Sequence, residues 1–160
     1  SPIGPKARNI NKDLIFKEGE FNQLTYWMNR QIINDYPLDI VSPVDWTDEN
    51  KDINDRVRSY LDVNCGHCHS PTGNANSTGL YLHLNETRDI NLGVFKKPVA
   101  TGRGSGGLKY SIVPGEPEKS ILLHRMISMD PGVMMPESGR ALTHTEAVDM
   151  VRDWILLMEN

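Results

Sequence analysis

Two cysteines are all this chain has, and they stand three positions apart in Val63-Asn64-Cys65-Gly66-His67-Cys68-His69-Ser70. Two thiols at that spacing, with a histidine on either side of the second, suit three chemistries. They are a dithiol redox centre of the Cys-Gly-His-Cys kind, half of a zinc site, and covalent haem attachment through Cys-x-x-Cys-His. A chance pair of buried thiols is the bland alternative, and a structural disulfide normally spans more than two residues.

The elements around the pair decide between these. From Asp52 to Asn64, Ile53, Val57, Tyr60 and Leu61 form one apolar stripe, and Asp52 and Asp55 suit a helix N-terminus, so a helix is expected to run straight into Cys65. The next stretch, "SPTGNANSTG" from Ser70 to Gly79, is turn chemistry throughout. A reactive dithiol needs the reverse polarity, with its first cysteine at a helix N-terminus where the dipole lowers the thiol pKa. A closed zinc site needs four ligands, and His83, His124 and His144 stand alone and far apart. Haem attachment needs two thiols about one helical turn apart, followed by a residue that turns a nitrogen to the iron. Cys65, Cys68 and His69 meet that requirement in order, and His67 is the variable position.

With His69 as one axial ligand, the opposite face calls for a methionine, a histidine or nothing. A methionine raises the reduction potential and suits electron transfer. "VMMPES", Val133 to Ser138, is a proline-bearing loop between two helices, and Met135 directly before Pro136 is the preferred ligand, with its neighbour Met134 as the alternative. Met28, Met150 and Met158 sit on helix faces and read as core filling, as do Met126 and Met129. His124 and His144 would give a bis-histidine centre, although surface roles explain both.

The rest of the chain reads as a scaffold with long loops. Residues 1–17 form an extended or looped arm, and Phe21, Leu24, Trp27, Met28 and Ile32 give a helical stripe within 18–34. Pro37 and Pro43 mark a linker ending near Trp46. "LYLHL" at 80–84 is extended, "TGRGSGG" at 101–107 is a loop, and "PGEPEKS" leads into a short helix with Ile121, Leu122 and Met126. In the last helix Thr143 and Glu146 fit a capping box, and Val148, Val151, Trp154, Ile155 and Met158 form the buried face. The expected fold is all-α, with the helices and long loops packed round one large central group, after an extension at 1–45 and in a domain at 46–160. A net charge of −4 with scattered basic residues gives no nucleic-acid surface, and no apolar run is long enough to span a membrane. A chain opening on Ser1 reads as a processed fragment.

The ordered segments "YLDVNCGHCHSPTG", "TGLYL", "IVPGEPEKSILLHRM", "MMPESGRALT" and "AVDMVRDWI" resemble bacterial class I c-type cytochrome domains. They look closest to the C-terminal haem domain of secreted dihaem c-type proteins, and the resemblance covers about residues 45–158. "GPKARNINKD" and Asn22 to Leu24 look like the stretch that joins an upstream domain. The resemblance implies a cytochrome c-like fold, one haem c on Cys65 and Cys68, and His69 and Met135 as iron ligands. It implies that Tyr60, Leu61, Trp154 and Ile155 meet where the motif helix crosses the last helix. Arg103, Lys109 or Tyr110 would be placed to hold a propionate.

The function expected is electron transfer between redox partner proteins by a single haem, with no catalysis and no membrane span. Because haem is joined to cysteine on the outer side of the bacterial cytoplasmic membrane, a periplasmic or cell-surface location is expected. Two rivals remain. One is a peroxidase-like haem with an open sixth position and His144 as its acid/base group; the other is a haem sensor or docking module that uses 1–45.

Overall fold

The computed structural model describes residues 5–137 and 139–159. Ser1 to Gly4 of the expected arm and Ser138 of the Met-Pro loop lie outside the described residues. The chain divides into two compact units, Ser1–Val44 and Asp45–Asn160.

The first unit corrects the all-α expectation. A short helix α1 (Ala7–Ile10) is followed by strands β1 (Asp13–Phe16) and β2 (Gly19–Asn22) and helix α2 (Gln23–Asn29). The strands pair antiparallel, Leu14 opposite Phe21 and Phe16 opposite Gly19, across a two-residue turn at Lys17 and Glu18. Gly19 enters β2 at a φ of 132°, which a side chain would resist. The helical stripe counted from Phe21 therefore starts too early. Phe21 belongs to a strand, and α2 begins only where the Asn22 side chain accepts hydrogen bonds from the Leu24 and Thr25 amides. Tyr26 stacks on Phe16 with ring centroids 3.7 Å apart, and Leu24 is the buried residue of α2. With six α-helices and this hairpin among the described residues, the chain is a mixed α and β protein.

Among the described residues the second unit has four α-helices, one of them a single turn. The motif helix α3 (Ile53–Asn64) opens on Asp52, whose carboxylate accepts from the Asn54 amide. A one-turn helix α4 (Asp89–Leu92) follows, then α5 (Ile121–Ile127) and α6 (Thr145–Leu157). Val57 and Leu61 from α3, Leu123 and Met126 from α5, and Val151, Trp154 and Ile155 from α6 share one buried cluster with Leu82 and Ile112. Burying a side chain such as Leu61 contributes about 1.5–3 kcal/mol. Trp154 adds a polar tie from α6 to α3 by donating its indole N–H to Asn54 Oδ1 at 3.2 Å. The capping box expected at the start of α6 does not form. Its first helical residue is Thr145, and the Thr143 hydroxyl instead donates to the Ile127 carbonyl at 3.3 Å.

Side chains, together with backbone bonds and two isolated bridges, Val94 with Ile112 and Tyr110 with Ser120, hold the connections in this unit. Arg58 reaches from α3 and donates through one Nη to the carbonyls of His83, Leu84 and Glu86. Fully buried Asp62, one turn further on, accepts from the Leu84 amide at 3.0 Å. The Glu86 carboxylate, itself buried, accepts from the Arg88 amide and guanidinium and from Asn91. These contacts fix the extended run Leu80 to Leu84 beside the motif. Among the described residues no helix is long and apolar enough to cross a membrane.

Candidate functional site

Helix α3 delivers the cysteine motif at its C-terminal end. The Cys65 amide donates to the Leu61 carbonyl, and the Cys65 carbonyl accepts from the amides of Cys68 and His69 at 3.1 and 2.9 Å. The motif is thus one further helical turn, so Cys65 and Cys68 lie on one side of it and His69 follows a turn above Cys65. Gly66 fits because a Cβ there would stand 2.8 Å from the Asp62 carbonyl oxygen. After His69 the chain folds back on the motif, with the Ala75 amide donating to the Cys68 carbonyl at 3.0 Å. Gly73 permits this, since a Cβ there would lie 2.1 Å from that same oxygen.

Both thiols are free. Cys65 packs against the apolar cluster, and burial, with Cys68 beside it, pushes its thiol up to about 12. That is opposite to the depressed pKa of an attacking dithiol, and the helix polarity agrees, because the thiols meet the negative end of α3. Among the described residues no group of three or more His, Cys, Asp or Glu side chains is arranged to hold a metal ion.

The His69 ring is half-buried, and burial holds it below the usual histidine range, as do the charges of Arg125 and His67. The Leu80 carbonyl and Glu137 pull the other way. Leu80 is brought there by the neighbouring bond from the Leu82 amide to the His69 carbonyl at 2.8 Å. No group completes a well-formed hydrogen bond to the buried Nδ1 of His69. The Leu80 carbonyl is therefore near enough to bias the ring electrostatically without a bond of good geometry. A neutral imidazole biased by a backbone carbonyl is the form in which histidine ligates a metal.

Two of the charges felt by His69 belong to the methionine loop and its support. Arg125 lies on α5, and its backbone carbonyl accepts from the Met135 amide at 3.0 Å while its Nε donates to the Val133 carbonyl at 2.8 Å. Glu137 is two residues past Met135. Met134 and Met135 are both half-buried, and the peptide bond from Met135 to Pro136 is cis. The electrostatic influence of Arg125 and Glu137 on His69 brings the support of the methionine loop near the ring.

The other expected candidates are occupied elsewhere. His144 takes a hydrogen bond with the Tyr60 hydroxyl at 3.1 Å and packs edge-on to Trp46 at 5.0 Å. His124 sits beneath Gly106, close enough that a Cβ there would be 2.5 Å from its Nε2. Arg103 makes a two-pronged ion pair with Asp130, and Lys109 lies over the Tyr110 ring. His67 is half-buried. Arg125 and Arg140, which grip the methionine loop, carried no signal in the sequence, because a guanidinium bonding backbone carbonyls follows no periodic pattern.

Compared with protein-family models, curated proteins and solved structures, the chain matches none.

Proposed function

We propose that the second unit carries one covalently bound haem c and transfers single electrons between protein partners. The observation that carries the reading is the turn from Cys65 to His69 at the end of α3, which spaces two free thiols about one helical turn apart and follows them with a half-buried imidazole. Cys65 and Cys68 would hold the group through thioethers, and His69 and Met135 would supply its iron ligands, with Met134 as the alternative to Met135. When bound, such a group supplies reversible one-electron iron chemistry, and Met/His ligation sets it at the higher potentials suited to electron transfer. The chain's own part is positional. The Leu80 carbonyl biases the His69 ring, Arg125 fixes the backbone of Met135, and the turn closed by Gly73 covers the motif.

A peroxidase-like site would need a free acid/base group facing an open iron. His144 is the residue for that role, yet it is engaged with Tyr60, Trp46 and, at 3.8 Å, Glu146. Attachment of haem to cysteine outside the bacterial cytoplasmic membrane makes the periplasm or cell surface the proposed location.

Expression with haem-maturation machinery tests the reading. The intact mass should exceed the polypeptide's by one haem, and the oxidised protein should be low-spin with a weak far-red charge-transfer band. Met135→Leu should remove that band and lower the midpoint potential, whereas Met134→Leu should keep both. A bare polypeptide mass, or a high-spin wild type, would refute the proposal.

A further inference from the structure

Arg140 stands just beyond the methionine loop and folds back on it. Its Nη1 donates to the carbonyls of Met135, at 2.8 Å, and Met126, at 2.7 Å. Its Nη2 donates to the Ser128 carbonyl and lies 3.8 Å from Met129 Sδ. Met126 and Ser128 belong to the C-terminal end of α5, where helix carbonyls lack intrahelical partners and a cation is favoured. One guanidinium therefore caps α5 and binds Met135 to it.

The effect on Met135 is specific. Its amide donates to the Arg125 carbonyl, and its own carbonyl accepts from Arg140, so both backbone groups of this residue are anchored to α5. With the peptide fixed at both ends, only the side-chain torsions remain to aim the sulfur. Asp130 organises the turn before it, taking the Val133 and Met134 amides on its carbonyl, but does not bond Met135. The planar fork matters here, because a lysine ammonium is a point charge and cannot span carbonyls in this arrangement.

We propose that Arg140 is a positioning residue for the sixth iron ligand, holding the Met135 backbone against the end of α5 so that its sulfur stays on the metal. The inference rests on the reading of Met135 as that ligand, and two readouts keep them apart.

The first is hydrogen exchange in the haem-bearing chain, comparing wild type, Arg140→Ala, Arg140→Lys and Arg152→Ala. Arg152 is the control, because it bonds Glu118 and Asp149 away from the loop. In Arg140→Ala the Met135 amide should exchange roughly tenfold faster or more, as expected for losing bonds from a charged donor. Those of Val57 and Val151, in the core of α3 and α6, should stay within about twofold, because only a global effect reaches them. Arg140→Lys should resemble Arg140→Ala despite keeping the charge. Equal acceleration at loop and core would mean general stabilisation and would overturn the proposal.

The second readout is the far-red band and the midpoint potential. Both should fall in Arg140→Ala and Arg140→Lys and hold in Arg152→Ala. If the wild type shows the band and Arg140→Ala keeps it at full strength, the positioning role is wrong while Met135 ligation stands. A wild type with haem but no band overturns the ligation reading, and this inference with it.

Discussion

Gly73→Ala is the most exacting test of how the motif is covered. A Cβ at this position would stand 2.1 Å from the Cys68 carbonyl oxygen, 2.7 Å from its carbon and 2.8 Å from the His67 oxygen. All three are backbone atoms in the motif turn, so no side chain can swing aside. Reaching an ordinary contact requires a relative displacement of about 1 Å or more. That movement lengthens the bonds that close the turn, from Gly73 to the Ser70 carbonyl and from Ala75 to the Cys68 carbonyl, both 3.0 Å. Overpacking together with the weakened turn bonds gives an expected loss of about 2–4 kcal/mol. Gly107→Ala is the matched comparison. That glycine has a φ of 78° with nothing within 4 Å of a Cβ, so the change costs only left-handed backbone strain, about 1–2 kcal/mol. Urea unfolding of the purified haem-bearing variants should place Gly73→Ala well below Gly107→Ala, and intact mass should show a lower haem-bearing fraction. Equal midpoints and equal haem loading would refute the account of a turn closed tightly over the cysteines.

Two further outcomes test the scaffold and the site separately. Hydrogen bonds from Arg88, above all, and then Asn91 hold the Glu86 carboxyl far below its ordinary 4.5. A depressed folded-state pKa stabilises the fold above the unfolded value and is lost as pH falls through the folded value. Glu86→Gln should therefore lower unfolding free energy by about 1.5–3 kcal/mol at pH 7, with the gap to wild type closing as titrations are carried below pH about 4.5. A gap independent of pH would contradict the charge-based explanation. His144→Ala removes one hydrogen bond to Tyr60 and the edge contact with Trp46, and should cost about 1 kcal/mol in the same assay while leaving the haem spectrum unchanged. A switch in spin state would revive His144 as a group facing the iron.

Where apolar spacing is long and regular, sequence and structure coincide closely. The stripe of Ile53, Val57, Tyr60 and Leu61 gives α3, which ends at Asn64 as the cysteines begin, and Val151, Trp154 and Ile155 give the buried face of α6. The hairpin was hidden because its strands are only four residues long and carry charge through Asp13 and Glu20. Leu24 and Trp27 beyond it extend a helical rhythm back across Phe21. The capping box at Thr143 failed because the hydroxyl has a competing acceptor in Ile127, a contact set by tertiary packing. The turn that joins Cys65, Cys68 and His69 was legible because its residues are neighbours in sequence. Arg125, Arg140 and the knot round Glu86 were not, since each links segments that become neighbours only after folding.

The direction in which α3 meets the motif also bears on the order of events during biosynthesis. Cys65 sits at the carbonyl end of the helix and packs against the core, and the turn closed at Gly73 lies over Cys68. Burial keeps the Cys65 thiol protonated and slow to react. The packing that slows Cys65 towards oxidants and alkylating agents also slows it towards an enzyme that would modify it. If the proposed haem is attached, its thioether to Cys65 would form most readily before the core closes on that thiol, and the fold would then act as the seal on the finished bond.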